Sequence, residues 1–238
     1  TVRDAITAPW RQGLTYDGTL FDARFSKSCG GVFEQFENCW EPKHYHYLVA
    51  RLDNANAMDY PDLTVEENAR EWILSSPAAF CNTTDKHILS QVLNSYDQET
   101  TDFYRWTVEY DQAELSRLVR ERSGEDYGDI VDLIPVARGT SGRLYRLKIV
   151  GTKKTCIIGK ELEIRRTLSP SHLYSSAFVV EKQGERDGLP ERFVLKGAGW
   201  GHGVGLCQIG AAVMGEKGYD YKQILLHYFI DAEITKQY

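Results

Sequence analysis

Glycine occupies every second position from Gly197 to Gly205 in the stretch GAGWGHGVGLCQIGA, residues 197–211. One face of an extended segment written this way carries no side chains. Another backbone or a flat ligand can then come close to it. Trp200, His202 and Val204 are expected to project from the other face. The spacing matches neither the dinucleotide fingerprint GxGxxG nor the phosphate loop GxxxxGK[ST]. Nucleotide binding is therefore disfavoured. Cys207, just past the run at the expected start of a helix, raises a thiol-nucleophile reading with His202 nearby, because a helix N-terminus favours thiolate. A structural cysteine packed under that helix is the competing reading.

The chain has 238 residues and a formal charge of −6. That balance argues against nucleic acid, whose phosphates call for a basic excess. The basic groups in KIVGTKK (148–154) and EIRRTL (163–168) read as a solvated face. No run of about eighteen apolar residues occurs, so no membrane-spanning helix is expected. The sequence starts at Thr1 without a signal peptide and reads as a mature or trimmed fragment. None of the five cysteines (Cys29, Cys39, Cys81, Cys156 and Cys207) forms a CxxC pair. Cys156, in TCIIG, reads as a buried small apolar residue on a strand.

Elements follow from periodicity. GLTYDGTLFDARFSKS reads as a hairpin turning at Asp17-Gly18. LTVEENAREWILSS reads as a helix opened by a capping box from Thr64 to Glu67. FYRWTVEY (103–110) alternates as a strand, and DQAELSRLVRER is helical, capped by Asp111, with Leu115, Leu118 and Val119 on one face. IVDLIPVARG, RLYRLKIVG, TCIIGKELEIRR, SSAFVVEKQG and RFVLKGAGW read as strands or strand-turn units. LCQIGAAVMGEKG is a short helix stopped at Gly218. YDYKQILLHYF is the last helix, with Tyr221, Ile224, Leu225 and Tyr228 on one stripe. Strands and helices do not alternate regularly, so the expected class is α+β, a single domain over 1–238 with a possible insertion at 41–102.

At the C-terminal end, GAGWGHGVGLCQIGAAVMGEKGYDYKQILLHYF resembles the signature of the stage II sporulation protein D / amidase-enhancer family (SpoIID/LytB), roughly GxGxGHGVGxSQxGAxxMAxxGxxYxxILxHYY. LTYDGTLFDARFSKSCGGVFEQFENCW and GKELEIRRTLSPSHLYSSAFVV resemble two further stretches of the family in the same order. The resemblance implies work on bacterial peptidoglycan outside the cytoplasm. Sporulation members are lytic transglycosylases that cut denuded glycan to 1,6-anhydromuramoyl ends. Others enhance a partner N-acetylmuramoyl-L-alanine amidase. In a lytic cut, one carboxylic acid protonates the glycosidic oxygen and the muramoyl C6 hydroxyl attacks C1.

The family's catalytic glutamate lies in an upstream helical segment that has no counterpart here, so the general acid is expected outside these residues. Glu34, Glu161 and Glu163 are the carboxylates near family-like stretches. Cys207 stands where the family has serine, and Phe33 where it has threonine. His202 is the leading candidate for binding sugar or orienting an acid, against a histidine that holds the glycine turns through backbone bonds. Gln208 could bind a sugar hydroxyl or N-acetyl group, or cap the helix. Arg165 could face a muramoyl carboxylate, or pair with Glu161 or Glu163. Tyr104 and Trp106 could stack on sugar or pack in the core. Cys29, Cys39 and Cys81 are candidates for a disulfide, Cys29 to Cys81 or Cys29 to Cys39. Their alternative is a zinc site with help from His44 and His46, some sporulation members being associated with zinc. No cofactor is otherwise expected.

Overall fold

The computed structural model describes residues 2–56, 59–94 and 100–237. In chain order the first elements are helix α1 (Val2–Thr7), strands β1 (Gln12–Tyr16), β2 (Thr19–Leu20) and β3 (Phe25–Ser26), and helices α2 (Phe36–Cys39), α3 (Glu66–Leu74) and α4 (Lys86–Val92). They are followed by β4 (Arg105–Asp111), α5 (Gln112–Ser123), β5 (Ile130–Arg138), β6 (Leu144–Gly151), β7 (Thr155–Ile158) and α6 (Glu161–Thr167). The chain closes with β8 (Phe178–Gln183), β9 (Arg192–Ala198), β10 (Leu206–Cys207), α7 (Gln208–Glu216), α8 (Tyr221–Tyr228) and β11 (Glu233–Lys236). The class is α+β, as the irregular order of elements predicts.

Asp17 and Gly18 turn the first hairpin with φ of 48° and 71°, the doubly positive geometry that suits the twist of two short strands. β1 pairs with β2 on one edge and with β11 on the other, Gln12 opposite Lys236. The hairpin is shorter than its sequence suggests, because β2 stops at Leu20. Phe21 leaves the ladder to stack on buried Tyr47, ring centroids 4.1 Å apart. β3 then pairs in parallel with β10, which joins the CGG turn to the start of α7.

Two antiparallel sheets, ordered β4-β9-β8 and β5-β6-β7, share a core with α5 and α6. Leu115, Leu118 and Val119 of α5 are buried in it, and the helix ends on Gly124 in the left-handed conformation. Asp111 is the N-cap residue, but its side chain makes no cap bond and instead faces the Arg192 guanidinium at 3.6 Å. The text KELEIRR, read as part of a strand unit, is helix α6. Ile164 and Leu168 stand four apart and both are fully buried, which is one turn of helical spacing and too short a stripe to outweigh the neighbouring strand pattern.

The capping box expected at Thr64 is not formed. Thr64 donates its hydroxyl and its amide to the Asp62 carboxylate, at 2.7 and 3.0 Å, and α3 begins after Val65 without a side-chain cap. The anticipated box appears in another helix: Asp220 and Gln223 cap α8 reciprocally. Region 41–102 packs into the rest of the chain, with Leu48, Leu52, Trp72, Phe80, Cys81 and Leu89 all buried. Cys156 is half-buried on β7 rather than fully enclosed. No helix among the described residues is long and apolar enough to cross a membrane.

Candidate functional site

The glycine run is not an extended strand with a bare face. Gly199, Gly201, Gly203 and Gly205 all have positive φ, from 72° to 96°, so alternate residues turn left-handed and the chain winds between two other segments. On one side Trp200 exchanges backbone bonds with Ser28, and the Gly203 carbonyl accepts from the Glu34 amide. On the other, the Gly199 amide donates to the Tyr104 carbonyl and the Gly201 amide to the Tyr174 carbonyl. The close approach anticipated from the sequence is made by neighbouring backbone and by one arginine. A Cβ on Gly205 would lie 2.2 Å from the Arg24 carbonyl oxygen, and one on Gly203 would lie 2.5 Å from the Arg143 guanidinium carbon.

Arg143 was not singled out by the sequence, since it looks like one basic residue among many at a strand start. It is 2% exposed. Its guanidinium donates to the carbonyls of Gly201 at 3.0 Å and Cys29 at 2.9 Å, and to the Ser141 hydroxyl at 3.0 Å. The rigid fork of an arginine suits this stapling of two loops.

His202 lies half-buried between Gly201 and Gly203. Its Nδ1 accepts the Val204 amide at 3.0 Å, so in the neutral ring the proton is on Nε2. Burial, reinforced by the charges of Arg143, Arg165 and Arg24, pushes its pKa down to about 3, so the ring is neutral at ordinary pH. The imidazole meets the Trp40 ring edge-on, centroids 4.8 Å apart. Arg24 covers the Trp40 ring at 4.5 Å. Lys160 donates to the carbonyls of Glu37 and Trp40. Beside them Glu37 holds the His44 ring with one carboxylate oxygen, at 2.9 Å, while the other is buried without a partner. Arg24, the Glu37–Trp40 pair and Lys160 escaped the sequence reading because they come from three separate segments and share no spacing pattern.

The carboxylates chosen from sequence are committed elsewhere. Glu34 is fully buried and accepts six hydrogen bonds, from the amides of Gln35, Thr140 and Ser141, the hydroxyls of Thr140 and Ser141, and the Asn38 side chain. Glu161 is buried in an ion pair with Arg165 at 3.0 Å. Glu163 is exposed and accepts the Gly159 amide at 3.3 Å.

The other sequence candidates are not brought to His202 as a set. Arg165 spends its Nε on the Leu173 carbonyl and its Nη1 on Glu161. Tyr104 precedes β4, is buried, donates its hydroxyl to the Pro77 carbonyl at 2.7 Å and stacks under Arg105. Trp106 is buried with its indole N–H on the Gly199 carbonyl. Both aromatics are core residues rather than open platforms. Gln208, at the first position of α7, lines a shallow apolar cavity with Val92, Leu206, Ala211 and Ala212.

All five cysteines are free. Cys39 stands apart from Cys29 and Cys81, its thiol directed to the His202 carbonyl at 3.6 Å, so a Cys29–Cys39 bridge is not formed. His44 and His46 meet edge to face at the surface and lie outside the thiol cluster. Cys29, Cys81 and Cys207 do converge, together with Asp53, an acid that the sequence reading did not select. Cys207 faces this cluster and not His202, which removes the geometry for a histidine-assisted thiol nucleophile. Burial alone would raise the Cys207 thiol, but hydrogen bonds from Cys29 and Cys81 outweigh it and bring the pKa to about 6.

Comparison with known proteins adds relatives to this geometry. Residues 34–205 match a family described as a domain of unknown function (DUF8618). The chain is 24% identical over 230 residues to the "Amidase enhancer" of Bacillus subtilis, covering 93% of this chain and 31% of that protein. It is 38% identical over 73 residues to an uncharacterized protein of Brachyspira hyodysenteriae, covering 31% of this chain and 18% of the other. The chain thus spans about a third or less of the curated relatives it matches. By the match over most of its length it belongs to the DUF8618 family, and its kinship with the amidase enhancer agrees with the SpoIID/LytB character of its C-terminal signature.

Proposed function

We propose that this chain is a glycan-engaging module of extracytoplasmic bacterial cell-wall remodelling, which holds a peptidoglycan strand against the surface at His202 and Trp40 and thereby assists an N-acetylmuramoyl-L-alanine amidase. The observation that carries this reading is the arrangement at Trp40. A half-buried indole, a neutral imidazole and the cations Arg24 and Lys160 meet on one patch. Aromatic faces pack on the C–H faces of sugar rings, while a few convergent polar groups fix orientation. A denuded strand also carries a lactyl carboxylate on each muramoyl unit, for which Arg24 would exchange its exposed ion pair with Asp22. The kinship with a protein named amidase enhancer supports the same reading.

A second reading, that the module itself makes the lytic cut, is favoured by one feature. Glu37 keeps a buried carboxylate oxygen without a partner beside Trp40. Glu34, Glu161 and Glu163 do not serve, for the reasons of geometry given above. A lytic transglycosylase reaction would then protonate the glycosidic oxygen from Glu37, or from an acid that these 238 residues do not supply.

Binding of denuded glycan strands to the purified chain tests the proposal. We expect Trp40→Ala to weaken binding by about tenfold, equivalent to ~1.4 kcal/mol, in a chain that still unfolds cooperatively despite the lost packing on Phe36. A chain with no affinity for the strands, or with affinity indifferent to Trp40→Ala, overturns it. Mass spectrometry of the same incubation separates the second reading: 1,6-anhydromuramoyl ends lost in Glu37→Gln would establish the cut, and intact strands leave the binding module.

A further inference from the structure

Four residues from four distant parts of the chain meet beside the core that Phe33, Phe80 and Tyr228 fill: Cys29 in the CGG turn, Asp53 after the Val32–Leu52 bridge, Cys81 after the α3 loop, and Cys207 at the N-cap of α7. All are buried, at 2% exposure or less. Their three sulfurs and one carboxylate oxygen all lie within 4.8 Å of one another. The Cys29 and Cys81 sulfurs are 3.5 Å apart, and the Cys29 sulfur is 3.3 Å from Asp53 Oδ2. Tetrahedral zinc with bonds of roughly 2.3 Å to sulfur and 2.0 Å to oxygen sets its ligand atoms about 3.5–3.8 Å apart. The cluster already has those dimensions to within a few tenths of an ångström at its short edges.

We propose that Cys29, Asp53, Cys81 and Cys207 form a closed structural site for one zinc ion. The surroundings are those of a ligand set held in place from outside. The second Asp53 oxygen accepts the Tyr228 hydroxyl at 3.1 Å and faces His227 Nε2 at 3.3 Å, which turns Oδ2 toward the sulfurs. The Cys29 amide donates to the Cys207 sulfur at 3.3 Å. The Asp53 backbone is tied on both sides, its amide to the Gly31 carbonyl and its carbonyl to the Phe80 amide. Two guanidinium groups supply positive charge near the sulfurs: Arg143 donates to the Cys29 carbonyl and Arg105 to the Gly30 carbonyl. On binding, Zn²⁺ displaces the protons of three thiols to solvent and bonds three thiolates and one carboxylate, with no change of oxidation state. No open coordination position is needed, so the ion cross-links loops instead of activating water. It joins residues 29 and 207, and binding free energy gained in this way is folding free energy.

The rival occupant of the same space is a Cys29–Cys81 disulfide. The full chain purified with zinc and without reductant decides between them. The expected result is one zinc per chain by elemental analysis, with the half-buried Cys156 titrating promptly with a thiol reagent and the buried Cys39 only on unfolding. The other three thiols should become reactive only after a chelator. Cobalt(II) in place of zinc should give the intense visible bands of a tetrahedral thiolate centre, which requires no variant to fold. Cys207→Ser and Asp53→Asn should lower metal retention, whereas Cys39→Ser should not. Substoichiometric metal with five promptly reactive thiols on unfolding, or a chain that retains two fewer thiols and binds no cobalt, overturns the proposal.

Discussion

Replacing Glu34 by glutamine separates a structural carboxylate from a catalytic one. Six donors converge on its two oxygens, three of them backbone amides fixed by the surrounding turns. Glutamine can keep its carbonyl oxygen where Oε1 sits, still facing Gln35, Asn38 and Thr140. Its NH₂ then points at Ser141, whose hydroxyl can rotate to accept but whose amide cannot. One buried amide left without an acceptor costs about 1–3 kcal/mol, and losing charge assistance in the remaining bonds adds about 1 kcal/mol. We therefore expect Glu34→Gln to lose about 2–4 kcal/mol in urea unfolding followed by far-ultraviolet circular dichroism. Glu34→Ala strands all three amides and should lose more, a large share of the ~5–15 kcal/mol that typical domains possess. A Gln variant within about 0.5 kcal/mol of the parent would refute the reasoning, since a carboxylate that leaves stability untouched on neutralisation is not the anchor of the 139–141 turn.

Three further outcomes follow from the same geometry. By nuclear magnetic resonance, the His202 ring should stay neutral from pH 7 down to near its depressed pKa of about 3. Its folded pKa lies below the unfolded value, so its stabilising contribution is present above about pH 6.5 and is lost as the pH falls toward 3; a ring that titrates near pH 6.5 in the folded chain contradicts this. Gly205→Ala should destabilise by at least ~2 kcal/mol, because a Cβ there combines positive φ with a backbone clash against the Arg24 carbonyl. Gly215→Ala, inside α7 with open space around it, should stabilise by about 0.5–1 kcal/mol, and thermal melts of the pair check both signs. Tyr104→Phe should cost about 1 kcal/mol through the lost bond to Pro77 and leave glycan affinity unchanged; a drop in affinity at constant stability would return Tyr104 to the binding surface.

Elements with a local cause were legible in the sequence. The Asp17-Gly18 turn needs only two residues at positive φ, and the α5 stripe of Leu115, Leu118 and Val119 is a repeating period. Helix α6 was missed because its inward face is a single turn, Ile164 to Leu168, embedded in strand-like text. Thr64 fails as a cap for a reason invisible to a motif: the turn closed on Asp62 starts the helix one residue later, which puts Val65 at the N-cap position. The glycine run was recognised as a place of close approach, yet its partners, Arg24, Ser28, Tyr104 and Arg143, lie from 56 to 181 residues away in the numbering.

The sequence by itself determined the α+β class, the kinship carried by the C-terminal signature and the conspicuous position of His202, because these depend on local order along the chain. Only the tertiary structure decided which side chains surround that histidine, which carboxylates are already saturated, and which cysteines share a cavity. Cys29, Asp53, Cys81 and Cys207 are separated by 24, 28 and 126 positions in sequence and by a few ångströms in space. No spacing rule links them, since each is delivered by a different loop packed on the same core.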